Sequence, residues 1–140
     1  MGVEYLENGL TAEALAGLRD LAGWQHTGAE QAKKALDNTS FSIAAVDERR
    51  VVGIGRLIGD GAMIWYIQDV IVVPESRRSG VGTAIVQKLM GYVRSEAMPG
   101  TSVSVGLMSA KGMEPFYEKL GFYARPNDRE GAGMMIRIKV

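Results

Sequence analysis

The sequence predicts an α/β (α+β) domain, with a mixed, mostly antiparallel central sheet of six to seven strands and about four helices. Three observations carry this. The apolar, β-branched runs Phe41–Asp47, Val51–Ile58 and Ala62–Val73 follow one another across short polar or glycine turns, the pattern of an antiparallel meander. Directly after it, Val81, Ile85, Leu89 and Val93 recur every fourth position, which sets them on one face of a helix. Ser102–Met108 is apolar again and returns after that helix, so a right-handed crossover makes it parallel to Ala62–Val73.

The other elements follow in order. Gly2–Leu6 alternates as a short strand, and Asn8-Gly9 marks a turn. Thr11 is a fair N-cap for a helix to about Ala22, with Leu15, Leu18 and Leu21 on one face and Gly23 at its end. Trp24-Gln25-His26 is a connector. Thr27-Gly28-Ala29-Glu30 reads as a capping box for a second helix to about Leu36. Glu48-Arg49-Arg50 and Gly59-Asp60-Gly61 are the two meander turns. The helix from Val81 runs to about Ala97 and stops at Pro99-Gly100. A short helix spans Lys111–Leu120, a strand begins at Phe122–Ala124, and Arg125–Gly133 is a loop. Met134–Val140 closes the sheet.

Composition narrows the function. With 140 residues and no linker, repeat or low-complexity segment, a single domain over residues 1–140 is expected. Apolar residues make up 46% and charged residues 23%, the balance of a soluble globular chain. Sixteen Lys and Arg offset sixteen Asp and Glu, which argues against a nucleic-acid or anionic-membrane surface. There is no cysteine and one histidine, so thiolate chemistry is excluded and no metal site is expected. The sequence holds no run of about 18 apolar residues and no secretory leader pattern, so a cytoplasmic protein is the expectation.

The stretch with the clearest chemistry is Val70 to Thr83. An apolar strand ends at Pro74, and Arg77-x-x-Gly80-x-Gly82 leads into the helix. The first N–H groups of a helix have no internal acceptor and carry the positive end of its dipole. Glycines clear side chains from that end, which leaves a cradle for phosphate or pyrophosphate, and Arg77 and Arg78 add charge-assisted donors. Taken alone, a glycine turn before a surface helix reads the same way.

Two motifs, together with the order of elements, resemble the GCN5-related N-acetyltransferase family. Val72-x-Pro74-x-x-Arg77-x-x-Gly80-x-Gly82 is similar to its acetyl-CoA pyrophosphate motif. Pro115-Phe116-Tyr117-Glu118-Lys119-Leu120-Gly121-Phe122 is similar to its second signature. The resemblance covers essentially the whole chain. It implies acetyl-CoA as cosubstrate, wedged where the two parallel strands splay apart. The backbone of Val70, Ile71, Val72 and Val73 would pair with the pantetheine arm. Arg77, Arg78, Ser79, Gly80, Val81, Gly82 and Thr83 would hold the pyrophosphate, with Phe116 and Tyr117 also beside the cofactor.

The same resemblance implies direct transfer of the acetyl group to a primary amine of a small molecule. Tyr117 stands where a general acid is expected, and a phenol can protonate a departing thiolate. A backbone N–H near Ile71 or Val72 would meet the oxyanion. Tyr66 and Gln68, two apart on one strand face, occupy the positions that order a base or a water. Asp69 falls on the opposite face unless a bulge intervenes. Asparagine is common in the family at the position of Ala110, so one cofactor contact is missing here. Trp24, Tyr66, Gln68 and Arg125 are the candidate acceptor residues. His26 reads as an exposed loop residue. The family often dimerises, and a homodimer through the terminal strand is an expectation. The alternatives are an acyl-CoA-binding or sensing module of the same fold and, less well supported, a nucleotide-binding regulator without the Gly-Lys-[Ser/Thr] of a P-loop.

Overall fold

A computed structural model describes residues 2–140. The chain forms two compact units, one ending at Leu107 and one running from Met108 to Val140. The first holds β1 (Glu4–Glu7), α1 (Ala12–Leu21), α2 (Ala29–Asp37), β2 (Phe41–Asp47), β3 (Arg50–Gly59), β4 (Ile64–Val72), α3 (Val81–Glu96) and β5 (Ser104–Leu107). The five strands form one sheet in the order β1-β2-β3-β4-β5. The first four are antiparallel neighbours, and β5 runs parallel to β4. The meander and the parallel pairing of β4 with β5 are both as the sequence predicts.

Local chemistry sets the element ends. Thr11 caps α1 by accepting from the Ala14 N–H at 3.1 Å. Gly23, at φ +77°, follows the end of α1. The capping box expected at Thr27 does not form. Gly28 is the N-cap of α2, and the Thr27 hydroxyl instead accepts from Arg19 Nε at 3.1 Å. Glu48 and Arg49 both take left-handed φ at the β2–β3 turn, the geometry whose twist matches a two-residue hairpin. Asp60 Oδ1 accepts from the N–H groups of Ala62, Met63 and Ile64 at 2.7–3.2 Å, which closes the β3–β4 turn and lowers the Asp60 pKa.

α3 covers one face of the sheet, with Val81, Ile85, Leu89 and Val93 all buried. Trp65 on β4 meets Tyr92 of α3 edge to face at 5.8 Å, and Phe41 stacks on the same tyrosine at 4.3 Å. Gly53 and Gly55 of β3 let α3 come close. A Cβ on Gly55 would lie 2.6 Å from Ile85 Cγ2 and 3.2 Å from Leu89 Cδ1. α1 packs against β3 and β4 through buried Leu15 and Leu18. Leu21, expected on the same stripe, is exposed at the helix end.

β4 carries one residue more than its partner. Gln68 pairs with Arg56 and Ile71 with Ile54, so Asp69 and Val70 together face Gly55 alone. Asp69 takes φ +56° there. The bulge changes the strand's phase. Before it, Met63 C=O accepts from the Ser104 N–H, so odd-numbered residues aim their backbone at β5. After it, the Val73 N–H donates to Val52 C=O at 2.9 Å, so Ile71 and Val73 aim at β3. Val70 and Val72 therefore take over the outer edge. Pairing with β5 ends at Ile67–Leu107, and from Gln68 onward that edge of β4 has no strand beside it.

In the second unit, α4 (Glu114–Lys119) is followed by irregular chain. The strands expected at Phe122–Ala124 and Met134–Val140 do not form, so the sheet has five strands and not six or seven. The loop between them closes on itself. Arg125 Nε donates to Gly131 C=O at 2.7 Å, and Asn127 Oδ1 accepts from the N–H groups of Arg129 and Glu130 at 2.9 and 3.0 Å. A period-two pattern without a ladder partner does not make a strand. Ile136, Ile138 and Val140 are left exposed.

The fit of α3 against β3 can be tested alone. Gly55→Ala should destabilise the fold by about 1–3 kcal/mol through overpacking against Ile85. Chemical denaturation of the variant beside wild type measures it.

Candidate active site

The open edge of β4 leads straight into the glycine turn. Pro74 starts a single 3₁₀ turn, Pro74–Ser76, and Arg77 swings back so that its Nε donates to Val72 C=O at 3.1 Å. Arg78 takes φ +63° and Gly80 φ +87°, and Gly80 is the N-cap of α3. Gly80 suits this place because its φ excludes most side chains and nothing lies within 4 Å of where its Cβ would be. The first backbone acceptance into the helix is from Ala84 to Gly80 C=O at 3.0 Å. Among the described residues, no backbone or side-chain acceptor meets the N–H groups of Arg78, Ser79, Gly80, Val81, Gly82 and Thr83. Six donors at a helix start, three of them on the exposed residues Arg78, Ser79 and Gly80, fit a diphosphate. The nearby carboxylate does not oppose it, since Glu75 pairs with Arg50 at 2.6 Å.

Tyr66 and Gln68 lie upstream on β4, on the sheet face opposite Trp65. Tyr66 is half-buried, between Ile58 on β3 and Gly106 on β5. Gln68 is half-buried and its Nε2 reaches Asp69 Oδ1 at 3.5 Å. The expected exception applies: a bulge intervenes and brings Asp69 onto the side that faces α1. Its carboxylate accepts from Arg56 Nε at 2.7 Å and from Arg19 Nη1 of α1. Arg19 in turn lies 5.4 Å from the ring centre of half-buried Trp24 and holds Thr27. Trp24, Gln68 and the bulge therefore belong to one network. His26 is exposed, with Nδ1 3.1 Å from Asp20 Oδ1.

Arg19, Arg56, Gly53 and Gly55 were not among the residues singled out by sequence. The signal was present: charges at Arg56 and Asp69 inside apolar strand runs, and glycines two apart inside a strand.

The second unit holds Phe116, Tyr117 and Arg125. Tyr117 on α4 is half-buried between Phe116, at 5.0 Å, and Phe122, at 5.9 Å, both edge to face. Burial raises its phenol above the usual 10.0, so it stays protonated through the neutral range. Arg125 is held by the loop carbonyl of Gly131.

The model of the acetyltransferase (GNAT) domain matches residues 10–136. The chain belongs to the GNAT family. Acetyltransferases of the GNAT fold use acetyl-CoA as acyl donor. Among solved structures, the chain is similar to protein SA2161 from meticillin-resistant Staphylococcus aureus, at 30% identity and a TM-score of 0.85, over 98% of this chain and 100% of that one. It is also similar to the uncharacterized N-acetyltransferase ycf52 of Pyropia yezoensis, at 26% identity over 118 residues, 81% of this chain and 66% of the relative. A glucosamine 6-phosphate N-acetyltransferase of Trypanosoma brucei brucei is 39% identical over 81 residues, 54% of this chain and 52% of the relative. The chain spans about half to three-quarters of the length of the curated relatives it matches.

Proposed function

We propose that the protein is an acetyl-CoA-dependent N-acetyltransferase acting on a primary amine of a small molecule. The observation that carries this is the continuity of the open β4 edge with six unpaired N–H donors at the start of α3. The edge offers strand-like hydrogen bonds to an amide-bearing arm, and the turn offers a diphosphate seat. When bound there, acetyl-CoA supplies an acyl group activated as a thioester.

The chain's own residues divide the work. Arg78 through Thr83 bind the diphosphate through backbone N–H groups, and Arg77 braces the turn by holding Val72 C=O. Val70 and Val72 present the edge backbone. In this reading the Val72 N–H, not that of Ile71, donates to the acyl oxygen, because Ile71 is committed to β3. Tyr117 donates the proton the departing sulfur needs. Its support is the resemblance of residues 115–122 and the burial that keeps it protonated. Trp24, Tyr66 and Gln68 receive the amine, with Tyr66 and Gln68 ordering water beside it.

A second reading, an acyl-CoA-binding module without turnover, draws on one observation. The carboxylate nearest Gln68, that of Asp69, is already held by two guanidiniums. Thiol release from acetyl-CoA across a panel of primary amines separates the two readings.

Gly80→Glu puts a bulky anion into the diphosphate seat. Wild type should bind acetyl-CoA at micromolar affinity in a calorimeter, and the variant should bind at least about a hundredfold more weakly. No heat and no thermal shift with wild type would sink the reading.

Tyr117→Phe should lower turnover by about 10²–10⁴-fold with little change in acetyl-CoA affinity. Because burial moves the phenol up, wild-type turnover should not decline between about pH 7 and pH 10, while the fraction of neutral amine rises. A decline below about pH 9, absent from Tyr117→Phe, would assign the phenol a lower pKa than its burial implies.

A further inference from the structure

Asp69 is a costly residue for its place. It is 3% exposed, and it holds φ +56° in the middle of a strand without being glycine. Both costs fall at the point where β3 offers one residue against two. Two arginines from different elements meet that single carboxylate. Arg56, across from Gln68 on β3, donates from Nε to Oδ2 at 2.7 Å. Arg19 of α1 donates from Nη1 to Oδ1. Each arginine is held from a second side. Arg56 Nη1 donates to Thr39 Oγ1 at 3.1 Å, and Arg19 Nε donates to Thr27 Oγ1 at 3.1 Å. Guanidinium–carboxylate bonds are directional, so this arrangement fixes the position of Asp69 as well as its charge.

We propose that Asp69 is a positioning residue for the open edge. Its carboxylate, clamped by Arg19 and Arg56, keeps β4 bulged, and the bulge is what turns the N–H groups of Val70 and Val72 away from β3. A strand that slipped by one residue would offer Ile71 and Val73 instead and would carry their side chains to the wrong faces. The inference rests on the reading of that edge as the seat of acetyl-CoA. Asp69 does not take a proton from a substrate, since its side chain has no exposed surface and both oxygens are occupied.

Asp69→Asn keeps the shape and the tolerance for left-handed φ but removes the charge. Calorimetry on the full chain with two ligands reads its effect: acetyl-CoA, and the nucleotide half of coenzyme A, adenosine 3′-phosphate 5′-diphosphate. Acetyl-CoA should bind about tenfold or more weakly, and the nucleotide half should stay within about twofold, because its diphosphate meets only Arg78 to Thr83. Equal weakening of both ligands, or weakening of neither, overturns the proposal. Amide hydrogen exchange on the unliganded protein gives a reading free of the cofactor. The Ile71 and Val73 amides should exchange about tenfold faster in Asp69→Asn, with those of Ile85 and Leu89 unchanged. Unchanged exchange at Ile71 and Val73, or acceleration shared equally by α3, overturns it. If wild type binds neither ligand, the proposed function falls, and exchange alone decides the role of Asp69. Should Asp69→Asn fail to fold with two uncompensated guanidiniums, Asp69→Asn combined with Arg19→Met and Arg56→Met replaces it under the same readings.

Discussion

The open edge of β4 exists because that strand has one residue too many. A regular antiparallel strand aims alternate backbone groups at its two neighbours, with no change of phase along its length. β4 serves β5 with Met63, Trp65 and Ile67, and serves β3 with Ile71 and Val73. Odd residues cannot do both in one unbroken phase. The bulge at Asp69 and Val70 resolves the conflict. Pairing with β5 ends at Ile67–Leu107, where β5 itself ends, so the edge is free where Val70 and Val72 turn toward it.

The second constraint is the close seat of α3. The helix start has to lie at the end of β4 for the edge and the N–H donors to be continuous. Gly53 and Gly55 allow that approach, and the four-residue repeat from Val81 to Val93 fills the space they leave. The unpaired N–H groups at the start of α3 are thus a by-product of packing. The helix is held by its apolar face, and its unpaired N–H groups are left at its N-terminal end.

Much of this was legible in the sequence, and the reasons differ by element. The α3 stripe, the meander and the strand–turn–helix at Pro74 to Gly82 announce themselves through local periodicity and glycine placement. The bulge does not, because register is set by the partner strand and not by the bulged one. Asp69 alone could signal only that some compensation was needed. Its two arginines lie 50 and 13 residues away, a separation no local pattern spans. At Thr27 the expected capping box is absent as well: Gly28 is the N-cap, and the hydroxyl accepts from Arg19, eight residues away. The terminal strand failed because Ile136, Ile138 and Val140 have the right period and no ladder to join.

The clamp also bears on how an amine could be made ready to attack. Asp69 is the acid nearest Gln68, and its oxygens are bound to Arg19 and Arg56. Using it as a base would leave two largely buried guanidiniums without their counter-charge. The Gln68 amide is not a useful proton acceptor. His26 is occupied with Asp20 and stands in solvent. In the proposed function, Tyr66 and Gln68 order water on this face of β4 and do not take the proton. An acceptor that reaches it must therefore lose its proton to water, or arrive without one. Under the proposed function, this would favour amines whose own pKa lies close to the working pH over strongly basic ones.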